Sequence, residues 1–450
     1  MPSRQDQLHS YQFTVQRVVA ALVMRETDPA RSPFRRIAGA TLVGVLLAAL
    51  AFGGAAAYGA LSPGGSGKWR DEKVVIVERE SGAIYVYRSA QLHPVLNYAS
   101  ALLILNSANP KSVSVSRNSL VGVPRGATWG IAGAPASLPS SDRLLRGGWT
   151  VCTDRGRSVL FVGPGPRGPD LGGRVLVVST SDGADYVLWR GHKHLVRQRQ
   201  VLNRLRWDKD QLQVAPAFLN AIPAGTDVAW PVLNGRGQAA RPPGTRVGQL
   251  FSVERPGGGD DYFVVVADGL ASITRFQAEL MLSDPETANL VGQRDLAKRS
   301  AGDLANLTRG QRVQAFAPDQ GGTGALPTDV PPFVPTPSGV VCAGGGIALD
   351  VRLPDLSGAS TPRPGPTGAL LADRVVVPPG AGALVAAVAA PGAAPGGLSL
   401  VTDLGLRYAV PSADLLPVLG YGNAQPVNLP AELVALLPAG PALDPSVARR

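Results

Sequence analysis

The chain has 450 residues, 43 of them Lys or Arg and 33 Asp or Glu, for a net charge of +10, with four histidines and two cysteines. Two cysteines cannot build the usual cysteine-rich zinc site, and four histidines leave little for acid–base or metal chemistry. The positive balance suits an anionic envelope surface, while nucleic acid is not expected as a partner because most of the chain is placed outside the cell below.

In residues 11–24 the apolar positions Tyr11, Val15, Val18, Val19 and Leu22 recur at helical spacing, with Gln12 and Gln16 elsewhere on the surface. An isolated helix of this length is marginal in water, so a partner protein or the membrane surface is expected to cover these five residues. Asp28-Pro29 then ends the helix before an arginine cluster.

Residues 37–61 are uncharged and apolar, and no second such run follows. About 25 residues of helix reach roughly 37 Å, enough to cross a bilayer with some tilt. Arg4, Arg17, Arg25, Arg31, Arg35 and Arg36 precede the run, whereas only Lys68 and Arg70 follow before Asp71 and Glu72. This bias predicts a single-pass protein of the cell membrane, with a cytoplasmic segment at 1–36, a span at 37–61 and everything after it extracytoplasmic. A cleaved signal peptide is the alternative, since Ala55-Ala56-Ala57 imitates a cleavage site, but the run exceeds the roughly 7–15 apolar residues of such a signal.

After a linker at 62–73, one frame recurs. Gly82, Tyr85, Pro94 and Val95 belong to the first copy (74–139), and Gly183, Tyr186 and Val196 to the second (174–240). Tyr262 belongs to a third copy (246–314), and Gly405, Tyr408, Pro417 and Val418 to a fourth (398–445). Each unit reads as a β-hairpin with a glycine turn and then an Ala/Leu-rich helix, a ββα unit. Val123-Pro124-Arg125-Gly126, Ile222-Pro223-Ala224-Gly225 and Leu437-Pro438-Ala439-Gly440 read as chain reversals closing a unit. Units this small bury little alone and should pack on one another or on a common core. That core is expected from 140–173 and 315–397, with Pro/Gly-rich loops at 315–338 and 357–368. The expected class is α+β: one N-terminal transmembrane helix, then an elongated extracytoplasmic domain of four ββα-type repeats around a β-rich centre.

Cys152 and Cys342 both fall outside the membrane, where a disulfide persists; a bridge would staple core strands far apart in sequence, the alternative being two buried thiols.

Chemical motifs are lacking. Gly65-Ser66-Gly67-Lys68 lacks the first glycine of a phosphate loop and is followed by Trp69. No serine-hydrolase elbow or zincin motif occurs. His192 and His194 read as an exposed basic edge with Lys193 rather than a metal pair, and Asp208, Asp210, Asp260 and Asp261 as solvated acids. The arginines of 197–206 are expected to face outward around Leu195, Leu202 and Leu205. No catalytic residue, metal ligand or cofactor is therefore assigned, and enzymatic activity stays open.

Several phrases together carry a resemblance: Gln7-Leu8-His9-Ser10-Tyr11, Gly82-Ala83-Ile84-Tyr85-Val86, Leu92-His93-Pro94-Val95-Leu96-Asn97, Gly130-Ile131-Ala132-Gly133-Ala134-Pro135, Trp149-Thr150-Val151-Cys152 and Cys342. With the single span, they resemble the EccB family of actinobacterial type VII (ESX-like) secretion systems across essentially the whole chain. Leu102 departs from the pattern, where an arginine is expected. The resemblance implies a structural core component linking cytosolic partners to a periplasmic or wall-side assembly. It implies an EccC-like motor ATPase and EccD-like and EccE-like membrane proteins as partners, self-association through repeats that resemble phage-lysin wall-binding modules, and a disulfide mapping to Cys152 and Cys342. Some members are labelled ATPases, so an envelope nucleotide hydrolase is one rival reading and a free-standing wall-binding module another.

Overall fold

The computed structural model describes residues 3–24, 33–61, 69–108, 110–241, 243–307, 314–315, 324–362, 369–390 and 392–450. The Asp28-Pro29 helix stop, linker residues 62–68 and the expected loop residues 316–323 and 363–368 lie outside the described residues. The chain divides into two compact units.

The first unit is Met1–Arg70 with Glu78–Gly82 and Ser114–Val123. Helix α1 (Arg4–Met24) begins earlier than its apolar periodicity predicts. Ser3 starts it: its hydroxyl accepts from the Asp6 N–H at 3.3 Å, and Asp6 Oδ2 accepts from the Ser3 N–H at 3.0 Å, a reciprocal cap. Helix α2 (Pro33–Leu61) also starts upstream of the apolar run, with proline in the first turn where its missing N–H costs nothing. Its window Ala38–Ala57 has a mean hydropathy of 2.1 and no buried side chain. Elsewhere in this unit the buried Glu78 carboxylate accepts from Arg117 Nε at 2.7 Å, and the Arg79 N–H donates to Val115 O at 2.8 Å.

The second unit holds the centre, repeats 2 to 4 and the rest of repeat 1. Repeat 1 contains β1 (Val74–Glu78), β2 (Ile84–Arg88), β3 (Gln91–Val95), α3 (Tyr98–Leu105) and β4 (Lys111–Val115). The centre begins with β5 (Thr150–Asp154) and β6 (Arg157–Phe161). Repeat 2 follows as β7 (Val175–Ser179), β8 (Asp185–Trp189), β9 (His192–Leu195), α4 (Gln200–Leu205), β10 (Leu212–Gln213) and α5 (Pro216–Leu219). Repeat 3 is β11 (Leu250–Glu254), β12 (Asp260–Val266), β13 (Gly269–Ile273), α6 (Arg275–Ser283), β14 (Ala297–Arg299), α7 (Ala301–Leu307) and β15 (Gln314–Ala315). The centre resumes with β16 (Val340–Ala343), β17 (Ile347–Val351) and β18 (Arg374–Val376). Repeat 4 closes the chain with β19 (Ala383–Val388), β20 (Leu398–Val401), β21 (Arg407–Val410), β22 (Val427–Pro430), α8 (Ala431–Ala435) and α9 (Pro445–Ala448).

The repeat sheets share one order, β3-β2-β1-β4, β9-β8-β7-β10, β13-β12-β11-β14 and β21-β20-β19-β22, with β15 added beyond β13. In repeats 2, 3 and 4 the last strand lies parallel to the first, which requires a crossover, supplied through a helix in repeats 2 and 3. The unit is thus three antiparallel strands, a helix and a parallel strand, richer than the hairpin and helix read from sequence. In repeat 1 the third strand escapes a sequence reading because β3 holds Pro94. Proline is tolerated there because position 94 faces the outer edge, where its carbonyl accepts from Trp129 N–H, and its missing N–H breaks no bond to β2.

Repeat 4 corrects a boundary. Its first strand is β19, not the stretch from 398, so residues 383–388 leave the expected centre. The frame matched at Gly405 and Tyr408 is therefore the second hairpin of the repeat rather than the first. Its helix is reduced to a single 3-10 turn, Ala413–Leu415.

Another correction concerns the expected loops. Val175 N–H donates to Pro332 O at 2.9 Å and Val334 N–H to Val175 O at 2.8 Å, while Leu326, Val330 and Phe333 pack on the core of repeat 2. Ser360 and Val375 exchange both backbone hydrogen bonds at 2.9 Å. Apolar residues between prolines make these extended segments covers for sheet edges.

The central sheet, β17-β16-β5-β6-β18, lies in one core with repeats 2 and 4, joining Val151, Leu160 and Val341 to Phe218 and Leu176 on one side and Leu433 and Val385 on the other. Repeat 4 shares a second core with repeat 1, where Leu400, Tyr408 and Leu419 meet Val86 and Leu103. Repeat 2 shares a third with repeat 3, through Val201, Leu202, Trp207, Phe276 and Leu280. Packing therefore runs repeat 1, repeat 4, centre, repeat 2, repeat 3, an order unlike that of the chain.

Candidate interaction sites

Four of the five residues expected to bind a partner through α1 are exposed: Tyr11, Val15, Val18 and Leu22, with Val19 half-buried. Leu8 extends the same face by one turn, whereas Phe13 is exposed on another. Large apolar side chains in this state leave a surface suited to a partner or to lipid.

Cys152 on β5 and Cys342 on β16 form a disulfide, directly opposite in the antiparallel register and both buried. It joins residues 190 apart in sequence within the central sheet.

The recurring Pro-x-Gly phrases are not chain reversals. Leu92 N–H donates to Pro124 O at 2.9 Å and Gly126 N–H to Leu92 O at 3.0 Å; Lys193 stands likewise to Pro223 and Gly225, and Arg407 to Pro438 and Gly440. Each phrase runs parallel along the edge of the third strand. Its glycine is required by a ring on that strand. A Cβ on Gly126 would lie 2.2 Å from the His93 ring, on Gly225 2.4 Å from His194, and on Gly440 2.3 Å from Tyr408. The rings are anchored in turn: His93 Nδ1 pairs with Ala127 O at 3.0 Å and His194 Nδ1 with Thr226 O at 2.8 Å.

In repeat 1 this clamp gathers further rings. Trp129 stacks on His93, and the Arg125 guanidinium lies 4.5 Å from the Tyr85 ring centroid. Sequence reading singled out Tyr85 but missed His93, Trp129 and Gly126 as a group. Their signal was present, since a ring residue on the third strand precedes each Pro-x-Gly at a near-constant interval.

The other marked positions fall in several places. Gly82 and Gly183 take φ of +72° and +85° in first-hairpin turns, the left-handed region that favours glycine. Tyr85, Tyr186 and Tyr262 lie on the middle strands β2, β8 and β12. Pro94 and Val95 end β3, and Val196 follows β9. Gly405 and Tyr408 belong to the second hairpin of repeat 4, and Pro417 and Val418 to the turn after its 3-10 segment. The structure does not bring these residues together into one site.

Two surface expectations change. His194 is buried, so only His192 and Lys193 remain of the basic edge, and Lys193 Nζ itself donates to Leu219 O at 2.8 Å. Burial, partly opposed by Glu432, holds the Lys193 ammonium below its usual pKa. Arg204 does not face solvent freely: it is 2.7 Å from Glu279 on α6 and 3.1 Å from Asp295, tying repeat 2 to repeat 3. No cluster of three His, Cys, Asp or Glu suited to a metal occurs among the described residues.

The whole chain, residues 1–450, matches the family described as type VII secretion system ESX-1, transport TM domain B. The chain belongs to this EccB family. Among similar EccB proteins is the ESX-3 secretion system ATPase EccB3 of Mycolicibacterium smegmatis, 27% identical over 479 residues covering 97% of this chain and 88% of that one. The ESX-2 secretion system ATPase EccB2 of Mycobacterium tuberculosis (strain CDC 1551 / Oshkosh) is 28% identical over 298 residues, 62% of this chain; the match spans 59% of the length of that relative. Two solved chains are similar in fold. A chain of an intact ESX-5 inner membrane complex has a TM-score of 0.63 at 24% identity, covering all of this chain and 95% of that one. A chain of an EccB3 dimer from the ESX-3 core complex has a TM-score of 0.63 at 23% identity, covering 84% and 100%.

Proposed function

We propose that this EccB chain is a structural subunit of an ESX-type inner-membrane secretion complex, anchored by α2 with its N-terminus in the cytoplasm and its repeats outside. The exposed apolar helix α2 ahead of a body stapled by a buried disulfide carries the reading. One end is suited to lipid, and the other bears a bond that persists in an oxidising compartment. Membership of the family adds the setting, because the similar solved chain comes from an inner membrane complex. The exposed face of α1 docks on an EccC-like motor or an EccD-like or EccE-like membrane protein. The repeats make contacts between copies and with the wall side.

Affinity purification of the tagged full chain from detergent-solubilised membranes tests this. Recovery of a motor ATPase and a multi-span partner is expected, and deletion of residues 3–24 should abolish motor recovery while the chain stays in the membrane. Unchanged recovery overturns the docking role, and recovery of the chain alone overturns the assembly role. The name ATPase carried by the relatives supplies a second reading, decided by calorimetry of the purified full chain with ATP.

A further inference from the structure

Asp185 opens β8 and is buried, with 6% of its surface exposed. Its Oδ2 lies 3.7 Å from Nη1 of Arg199, the residue preceding α4. Among the described residues Oδ1 has no hydrogen-bond donor. Nη2 of the same guanidinium donates to Gln211 Oε1 at 3.2 Å, next to β10, and Gln211 Nε2 is also buried without an acceptor among the described residues. One largely exposed arginine thus spans a buried carboxylate on β8 and the start of β10, across the first turn of α4.

The other charges on the elements packed here are committed elsewhere. Arg197, just after β9, lies 2.6 Å from Asp227, and Arg204 on α4 holds Glu279 and Asp295. Asp182 in the β7–β8 turn is bonded by the Thr180 hydroxyl. Arg199 is therefore the charge that faces Asp185.

A buried carboxylate with one oxygen unmatched is a poor place for a full negative charge. We propose that Asp185 and Arg199 form a proton-operated latch in repeat 2. With Asp185 ionised, the guanidinium is held inward and ties the start of α4 to β8 and β10. With Asp185 protonated by solvent, the guanidinium is released, the first turn of α4 loosens, and the surface gains an unpaired positive charge.

Burial raises the Asp185 carboxyl above its usual range, with Arg199 opposing. The sign follows: the neutral form is favoured in the folded state, so its contribution to stability is fully present below the unfolded value and is lost as pH rises through the folded one. Acidification accordingly opens the latch without unfolding the repeat. The inference rests on the geometry of repeat 2 alone and stands apart from the secretion assignment.

Hydrogen–deuterium exchange of the full chain in detergent, corrected for intrinsic rates, tests it between about pH 8 and the ordinary carboxylate value of about 4. Protection of residues 199–205 is expected to fall about threefold on acidification, with the rest of repeat 2 unchanged. Asp185→Asn should show the acid level of protection at both pH values, and so should Arg199→Gln, which keeps the test open if the first variant folds poorly. Equal protection of the unmodified chain at both pH values, or the same pH response in both variants, overturns the latch.

Discussion

The imidazole of His93 lies flat on the indole of Trp129, ring centroids 3.6 Å apart and planes 8° from parallel, with the Cα of Gly126 against the same imidazole. The strand that carries His93 and the segment that carries Trp129 are also hydrogen-bonded, Trp129 N–H to Pro94 O at 2.9 Å. Ring and glycine hold together pieces that neither helix nor hairpin propensity would join, and repeats 2 and 4 use the same device.

Replacing Gly440 by alanine puts a methyl into the buried Tyr408 ring. The expected cost is about 1–3 kcal/mol, the usual range for overpacking, read by chemical denaturation of the full chain in detergent. Gly148, whose Cβ position is open, provides a near-neutral control as Gly148→Ala. In the background of Tyr408→Ala the Gly440→Ala penalty should shrink; an unchanged penalty would disprove the clamp.

Cys152→Ala combined with Cys342→Ala removes a link across 190 residues. In the chain-entropy model such a loop contributes roughly 5 kcal/mol, so the denaturation midpoint should drop strongly while membrane insertion persists. The unmodified native chain should resist thiol labelling until it is reduced, both sulfurs being held in the disulfide.

The β2–β3 turn places Ser89 and Ala90 at φ of +50° and +61°, whereas the equivalent turn of repeat 2 uses Arg190 and Gly191. A non-glycine residue costs about 1–2 kcal/mol in that region. Ala90→Gly should therefore raise stability by about 0.5–1 kcal/mol after the entropy of the unfolded chain is counted. A lower midpoint would contradict the turn geometry.

Tyr421 is buried and its hydroxyl donates to Pro139 O at 2.7 Å, linking repeat 4 to the end of repeat 1. Burial, and secondarily Tyr98, pushes its hydroxyl far above the ordinary range. Its folded value exceeds the unfolded one, so the stability it supplies is complete below about pH 10 and is lost as pH rises further. Tyr421→Phe should cost about 1 kcal/mol at neutral pH and flatten the alkaline decline measured by thermal unfolding.

Local chemistry was legible in sequence wherever a residue acts through its neighbours. The apolar run is long enough to cross a bilayer whatever it packs against, and the spacing of Tyr11, Val15 and Leu22 makes one helix face. Gly82 and Gly183 mark turns because only their own φ is at issue. Repetition exposed the first hairpin and the helix for the same reason, since each copy solves the same short-range problem.

What the tertiary structure decided is long-range. The parallel segment along the edge of the third strand depends on backbone pairing between residues about 30 apart, which no local period records. Repeat 4 misled because its second hairpin presents the same glycine-then-aromatic pattern as the first hairpin of repeat 1, and only the pairing of β19 with β20 and β22 fixes the frame. The sequence alone determined that this chain has an apolar helix, two cysteines free to pair outside the membrane-spanning run and repeating β units. Packing determined that His194 is buried, that Arg204 binds Glu279 and that repeat 1 rests on repeat 4, because burial and ion pairing are properties of surfaces that meet only when the chain has folded.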